Sequence, residues 1–280
     1  MWAALLPERL SHGSVGRSLP TEVDRATLSS QFLEVPLDHF GGSTSPSWSL
    51  KFFVDDASFK PGGIVLVTMP SEAPTGGCGG GALAKALNAV AVCSQHRYFG
   101  DSVPLNDSTT AALSRYLSVE QNLADVASLI THVRTRLYPS ASATVVTGGS
   151  YAGASSAWMR HAYPHLVDAA IAYSPPITAV YDFAAYDTSN LVALSSPDSR
   201  CAQAQARVAE ALTTLLAKQP AQLLDLFGAA HYLRAGSIGL TDFMYALGDS
   251  SASAVQYGRK QMLCDALRPA FAGGALAGGA

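Results

Sequence analysis

The chain is 280 residues long with a formal net charge of −3; apolar residues make up 48% of it and charged residues only 14%. Globular proteins average about a quarter charged residues, and nothing in this balance resembles the basic footprint of a nucleic-acid binder. The length suffices for one large domain, or a domain with a sizeable insertion, and for a full core.

No apolar run approaches the roughly 20 residues that a membrane span requires. Residues 1–8 hold an apolar patch with no basic lead-in, so no convincing signal peptide opens the chain. Residues 1–30 are polar and mixed, and read as a loosely ordered N-terminal segment. A strand is predicted at 31–36, with Pro36 placing its end at an edge. A second, partly alternating, is predicted at 48–54. After the turn Pro61-Gly62-Gly63, residues 64–69 are apolar without alternation, as in a strand buried on both faces of a parallel sheet. A glycine-rich loop, 76–81, leads into a helix at about 82–89 and then into a second buried strand, 90–93. That strand delivers a polar cluster, Gln95-His96-Arg97-Tyr98-Phe99-Gly100-Asp101-Ser102.

Ser118-Val119-Glu120-Gln121 reads as a capping box. The helix it opens is the clearest in the chain, with Leu123, Val126, Ala127, Ile130, Val133 and Leu137 on one face. Tyr138-Pro139 stops it. Residues 144–147 form the third buried strand, and 166–173 supply a fourth. Three strand–helix–strand crossovers in series imply a parallel sheet with helices on both faces, an α/β core over residues 31–180. Beyond Tyr186 the composition turns alanine-rich, with helical stretches at 202–216, through 226, at 243–247 and at 254–267. Residues 181–268 are therefore read as a helical insertion or cap, and 269–280 as a low-complexity tail.

The stretch Val145-Val146-Thr147-Gly148-Gly149-Ser150-Tyr151-Ala152-Gly153-Ala154 carries the chemistry. A β-branched run ends in glycines, a serine sits among them, and a helix-compatible segment follows, which is the layout of a nucleophile elbow. The strained turn lifts the hydroxyl above the sheet and aims the next backbone N–H at a developing oxyanion, so its neighbours must be small. Here Gly148 lies two residues before Ser150, but Ala152 takes the place of the second glycine, with Gly153 beside it. A serine also needs a base, usually histidine, oriented by a carboxylate. A nucleotide-binding turn is the competing reading of this stretch and of Gly77-Cys78-Gly79-Gly80-Gly81-Ala82. Context opposes both: the first follows two earlier strand–helix units, and the second is followed by a strand ending in Gln95 rather than an acid. No cofactor is expected.

In this order the motifs resemble the serine peptidase family of lysosomal Pro-Xaa carboxypeptidase, dipeptidyl-peptidase II and thymus-specific serine protease. The resemblance covers about residues 35–267. It is carried by Val35-Pro36-Leu37-Asp38-His39-Phe40, by the polar cluster at 95–102, which is similar to the family's Glu-His-Arg-Tyr-Tyr-Gly-Glu-Ser, and by the helix start at 117–125. It continues through Gly148-Gly149-Ser150-Tyr151, Tyr163-Pro164-His165, Ala172-Tyr173-Ser174-Pro175-Pro176-Ile177, Val255-Gln256-Tyr257-Gly258 and Cys264-Asp265.

The resemblance implies an α/β-hydrolase core with a helical insertion, and cleavage of peptides near a terminus, often beside proline. It places the nucleophile at Ser150 and one oxyanion donor at the Tyr151 N–H, and it matches Glu72 to an acid near the substrate terminus. A homodimer and a lysosomal, vesicular or secreted location are implied in the same way. The family's Asp and His lie beyond the helical insertion on the last core strands, which this chain lacks. The expectation is that the chain as it stands is inactive and exposes apolar sheet surface. His161 and His165 (on and after the elbow helix), His231, Asp168, Asp182 and Asp187 make no substitute triad, and His39 and His96 are expected to be structural. Two other readings stand beside the exopeptidase: a non-catalytic relative acting as a binding protein, and an esterase or lipase on the same core.

None of the four cysteines forms a C-x-x-C pair, so no metal site is expected. Cys93 lies in an apolar run and is expected to be a buried thiol. Cys201 and Cys264 flank a helical region and are candidates for a bridge; sequence alone does not choose a pairing for these two and Cys78 and Cys93. Asn106-Asp107-Ser108 is an N-glycosylation sequon in a polar loop.

Overall fold

Apolar residues alternate between two faces of one central sheet, and this alternation builds the core. The computed structural model describes residues 30–271 except 43, 79–80 and 232–238. The expected loose segment up to residue 29 and the tail from residue 272 lie outside the described residues. The chain forms two compact units that meet in sequence at Ala179 and Val180.

Among its described residues the first unit is built on six strands: β1 (Ser30–Pro36), β2 (Ser47–Asp55), β3 (Val65–Thr68), β4 (Val90–Ser94), β5 (Thr144–Gly149) and β6 (Ala169–Tyr173). Their order in the sheet is β1-β2-β4-β3-β5-β6. β2 is antiparallel to both β1 and β4, while β3, β4, β5 and β6 run parallel. The interleaved order of β3 and β4 follows from crossovers through α1 (Gly81–Ala86), α3 (Val119–His132) and α4 (Ser150–Ala162), with α2 (Thr110–Tyr116) before α3. On one face Val65, Val67, Val90, Val92 and Val146 meet Leu123, Val126, Ile130 and Met159 of α3 and α4. On the other, Leu66, Ala91 and Cys93 meet Ala84 of α1. This is an α/β-hydrolase core, with both faces of the inner strands covered as a parallel sheet requires.

Several expectations are corrected in detail. The helix at 82–89 ends at Ala86, because Asn88 turns left-handed (φ 47) to feed β4. The capping box is half formed: Ser118 Oγ accepts from the Gln121 N–H at 3.3 Å. The Gln121 side chain instead donates to Asp38 Oδ1 (2.7 Å) and accepts from the His39 N–H (2.9 Å). The α3 pattern continues as a π-turn, Val133–Leu137, and Leu137 is left exposed. Residues 166–168 form a turn before β6 rather than part of it. Cys93 is not a free thiol. The loop after β3 carries Cys78 back over the α1 face of the sheet, where it bonds to Cys93 of β4 with the Cα atoms 5.3 Å apart.

The second unit is helical among its described residues: α5 (Ala184–Ser195), α6 (Arg200–Lys218), α7 (Pro220–Leu226), α8 (Leu240–Gln256) and α9 (Lys260–Leu267). The run read as helix from 254 to 267 breaks at Tyr257, where Gly258 takes φ 72. Leu194, Ala204, Val208, Leu263 and Leu267 pack together around a Cys201–Cys264 disulfide, and Leu223, Phe227 and Phe243 form a second cluster. No described helix is long and apolar enough to cross a membrane.

Candidate active site

The elbow forms where β5 runs out of side chains. A Cβ on Gly148 would lie 2.5 Å from the carbonyl carbon and oxygen of Ala152. A Cβ on Gly153 would lie 2.9 Å from the carbonyl oxygens of Gly148 and Tyr173. The close approach of α4 to β5 and β6 therefore rests on glycines at 148 and 153, which is why alanine is accommodated at 152. Ser150 itself sits at φ 55, in the left-handed region. For an L-residue with a side chain that conformation costs about 1–2 kcal/mol, and strain of this kind concentrates at functional turns.

Ser150 is exposed at the tip, and its hydroxyl has no hydrogen-bond partner among the described residues. The Tyr151 N–H lies in the first turn of α4, where backbone donors have no intrahelical acceptor and the helix end carries partial positive charge. The loop after β3 faces the same end of the sheet, since β3 and β5 are parallel neighbours. In that loop the Met69 N–H is committed to Thr147 O (2.8 Å) and Pro70 has no N–H, so Ser71 carries the first uncommitted donor.

The Tyr151 side chain turns inward. Its hydroxyl lies 2.9 Å from His96 Nε2, while His96 Nδ1 lies 2.7 Å from the Arg97 carbonyl oxygen. A carbonyl accepts only, so Nδ1 bears the proton and Nε2 accepts from the tyrosine. Burial pushes His96 below its ordinary value and raises the Tyr151 hydroxyl, which keeps both neutral. Asn122 and Ser155, both buried, act on the same hydroxyl without reaching hydrogen-bonding geometry. Glu72 is exposed in the loop after β3, and its charge is felt at both His96 and Tyr151.

Beneath this lies a buried ion pair. Arg97, fully enclosed, donates to Asp125 through Nε (2.7 Å) and Nη2 (2.8 Å), and through Nη1 to the carbonyls of Leu37 and Tyr116. His39 Nε2 meets Asp125 Oδ1 at 2.7 Å. The polar cluster after β4 thus splits into a member that touches the elbow, His96, and members that fix the scaffold. The signal for Asp125 and Asn122 was present in the sequence as polar residues inside the apolar face of α3; the partner of Asp125, Arg97, comes from a distant segment.

The other sequence candidates of the sheet unit stay apart from Ser150. His161 is at the far end of α4, about 16 Å along the axis at 1.5 Å per residue, and is exposed. His165 follows that helix, and Asp168 accepts from the Thr144 N–H (2.7 Å) at the opposite end of the strands. His231, Asp182 and Asp187 belong to the helical unit, and Asn106 lies on the loop between β4 and α2. A groove of about 530 Å³ lined by Leu33, His39, Ala127, His132, Arg136 and His165 contains neither Ser150 nor Glu72.

Fold and turn together define an α/β-hydrolase core with an exposed serine on its β5–α4 turn. The chain belongs to the serine carboxypeptidase S28 family, whose sequence profile matches residues 35–266. It is 38% identical to mouse thymus-specific serine protease over 165 residues, covering 56% of this chain and 32% of that protein. It is 35% identical to human lysosomal Pro-X carboxypeptidase over 158 residues, covering 52% and 31%. The matched stretch thus spans about a third of the length of these relatives. Among solved structures, a lidless α/β serine hydrolase from Xanthomonas campestris overlaps 55% of this chain and 65% of its own, with 18% identity and a TM-score of 0.35.

Proposed function

We propose that this chain carries the nucleophile of a serine-type exopeptidase that hydrolyses peptide bonds near a terminus, often beside proline. One observation carries the reading: in a chain of this family, Ser150 stands exposed at φ 55 on the β5–α4 turn, next to the free N–H of Tyr151. Ser150 Oγ attacks the scissile carbonyl carbon, the oxyanion is held by the N–H groups of Tyr151 and Ser71, and the amine leaves as an acyl-enzyme forms. Water then attacks the acyl carbon and frees Ser150. We infer that Glu72, exposed on the loop after β3, receives a positively charged group of the substrate near its terminus.

Both proton transfers need a histidine and an orienting carboxylate. Within the sheet unit no described histidine or carboxylate hydrogen-bonds to Ser150, so we infer that the sheet unit by itself reacts slowly. The two disulfides favour an oxidising compartment, in keeping with a lysosomal, vesicular or secreted protein, and a homodimer is the expected assembly.

A fluorophosphonate probe tests the inference about reactivity, with Ser150→Ala as control. Weak labelling of the 280-residue chain is expected, and rapid labelling confined to Ser150 would show that a base is present after all. The peptidase reading is tested on the longest form that the transcript encodes, offered proline-containing peptides and a simple ester. Turnover of the ester alone would make it an esterase, and no turnover of either would leave a binding protein.

A further inference from the structure

We propose that Asn106 is a site of N-linked glycosylation, accepting an oligosaccharide from a lipid-pyrophosphate donor. In that transfer the side-chain amide nitrogen bonds to the anomeric carbon of the first sugar. The bond from that carbon to the pyrophosphate oxygen breaks, the lipid pyrophosphate leaves with the electron pair, and the amide loses one proton.

Asn106-Asp107-Ser108 is the chain's single sequon, since Asn88, Asn122 and Asn190 lack a serine or threonine two residues on. The fold presents it well. The base of the β4–α2 loop is pinned by Ser102 Oγ to Gln95 Oε1 (3.0 Å) and by the Tyr98 N–H to Ser102 O (2.7 Å). Residues 105–110 beyond that base are exposed. Leu105 and Asn106 both turn left-handed, at φ 56 and 52, which carries the asparagine outward. The middle residue is drawn out of the way: the Asp107 carboxylate accepts the Thr109 N–H (2.9 Å), just where Thr109 caps α2. The side chains of Asn106 and Ser108, the two the transferase reads, make no hydrogen bond among the described residues.

A second observation points to the same compartment. Both cysteine pairs are bridged, and Cys78 and Cys93 are buried in the core. Disulfides of this kind form where oligosaccharide transfer also occurs, in the oxidising secretory pathway. The loop leaves the C-terminal end of β4, which runs parallel to β3 and through it to β5. A glycan on Asn106 therefore stands at the same end of the sheet as Ser150, on its rim.

The test is expression of the full chain through the secretory pathway of a eukaryotic host behind an added leader, with protein recovered from medium and microsomes. Peptide mass analysis is run before and after an amidase that releases N-glycans and converts the carrier asparagine to aspartate. Wild type is expected to carry glycan on Asn106, Asn106→Gln and Ser108→Ala to lose it, and Ser108→Thr to retain it. Because the Asn106 side chain is exposed and makes no hydrogen bond among the described residues, the unglycosylated variants should keep the wild-type thermal midpoint apart from any effect of the glycan itself. Recovery of disulfide-bonded wild type with Asn106 unmodified would overturn the proposal.

Discussion

The two units of this chain handle polar groups in opposite ways. In the sheet unit His96, Arg97, Gln121, Asn122, Asp125, Thr147 and Ser155 are buried, and most are tied together beneath the elbow. Among the described residues of the helical unit those that are buried are apolar, and the ion pairs, Arg200–Asp198 and Arg268–Asp265, lie in solvent. A surface pair is screened and holds little; a buried pair fixes one arrangement and tolerates loss of neither partner. The sheet unit thus holds an exposed, strained serine above a rigid polar floor, whereas the helical unit relies on apolar contacts and a covalent bridge.

The largest expected effect breaks that floor. Asp125→Ala leaves Arg97 enclosed without its carboxylate and should destabilise the sheet unit by about 3–5 kcal/mol. Asp265→Ala, its counterpart on the helical surface, should leave the unfolding curve unchanged. Urea titration of both variants checks the contrast, and equal midpoints would mean that burial does not divide the two networks.

The bridges sharpen the comparison next. In the chain-entropy view a loop of 63 residues, as between Cys201 and Cys264, contributes about 4 kcal/mol, and one of 15, as between Cys78 and Cys93, about 3. Replacing both cysteines of each pair by alanine should therefore harm the helical unit more. In the sheet unit the paired strands and the two apolar clusters remain to hold the fold. Differential scanning calorimetry of the two double variants ranks them, and a reversed order would place the stability of the helical unit in its packing.

How much of this was legible follows from what each feature depends on. The strands at β3, β4 and β5 were readable because a doubly buried strand is a local pattern: Val65 to Val67 and Val90 to Val92 are apolar whichever face they meet. Ser150 was readable because the elbow is contiguous in sequence. The exchange of roles among Gly148, Ala152 and Gly153 was not, since it depends on how closely α4 passes β5 and β6. Cys93 looked like a buried thiol because only the course of the loop after β3 brings Cys78 to it. The floor was hidden for the same reason: Arg97 and Asp125 are 28 residues apart, His96 and Tyr151 are 55 apart, and periodicity says nothing about pairs at that distance.

A smaller effect isolates the strain in the elbow. Glycine adopts φ 55 without the penalty that Ser150 bears, so Ser150→Gly should stabilise the sheet unit by about 1 kcal/mol, less what the freer unfolded chain takes back. Ser150→Ala keeps the Cβ and should not. Thermal midpoints of the two variants separate strain from loss of the hydroxyl, and equal midpoints would mean that the turn is relaxed.

The smallest expected effect is a dependence on pH that only the floor should show. Burial holds His96 below its ordinary value of 6.5. Between those two values the unfolded chain therefore binds a proton that the folded protein refuses, and stability rises with pH there. The contribution is fully present above 6.5 and is lost as the pH falls through the folded value. Protonation would add a cation beside Arg97, which disfavours it, while the carboxylates of Asp125 and Glu72 favour it, and would turn Nε2 from an acceptor for the Tyr151 hydroxyl into a donor. His96→Gln keeps an acceptor without the titration, and His165→Gln removes an exposed imidazole as control. Urea midpoints at about pH 7 and about pH 5 should fall less in His96→Gln than in wild type or His165→Gln. Equal falls in all three would mean that His96 does not carry the acid sensitivity of the elbow's support.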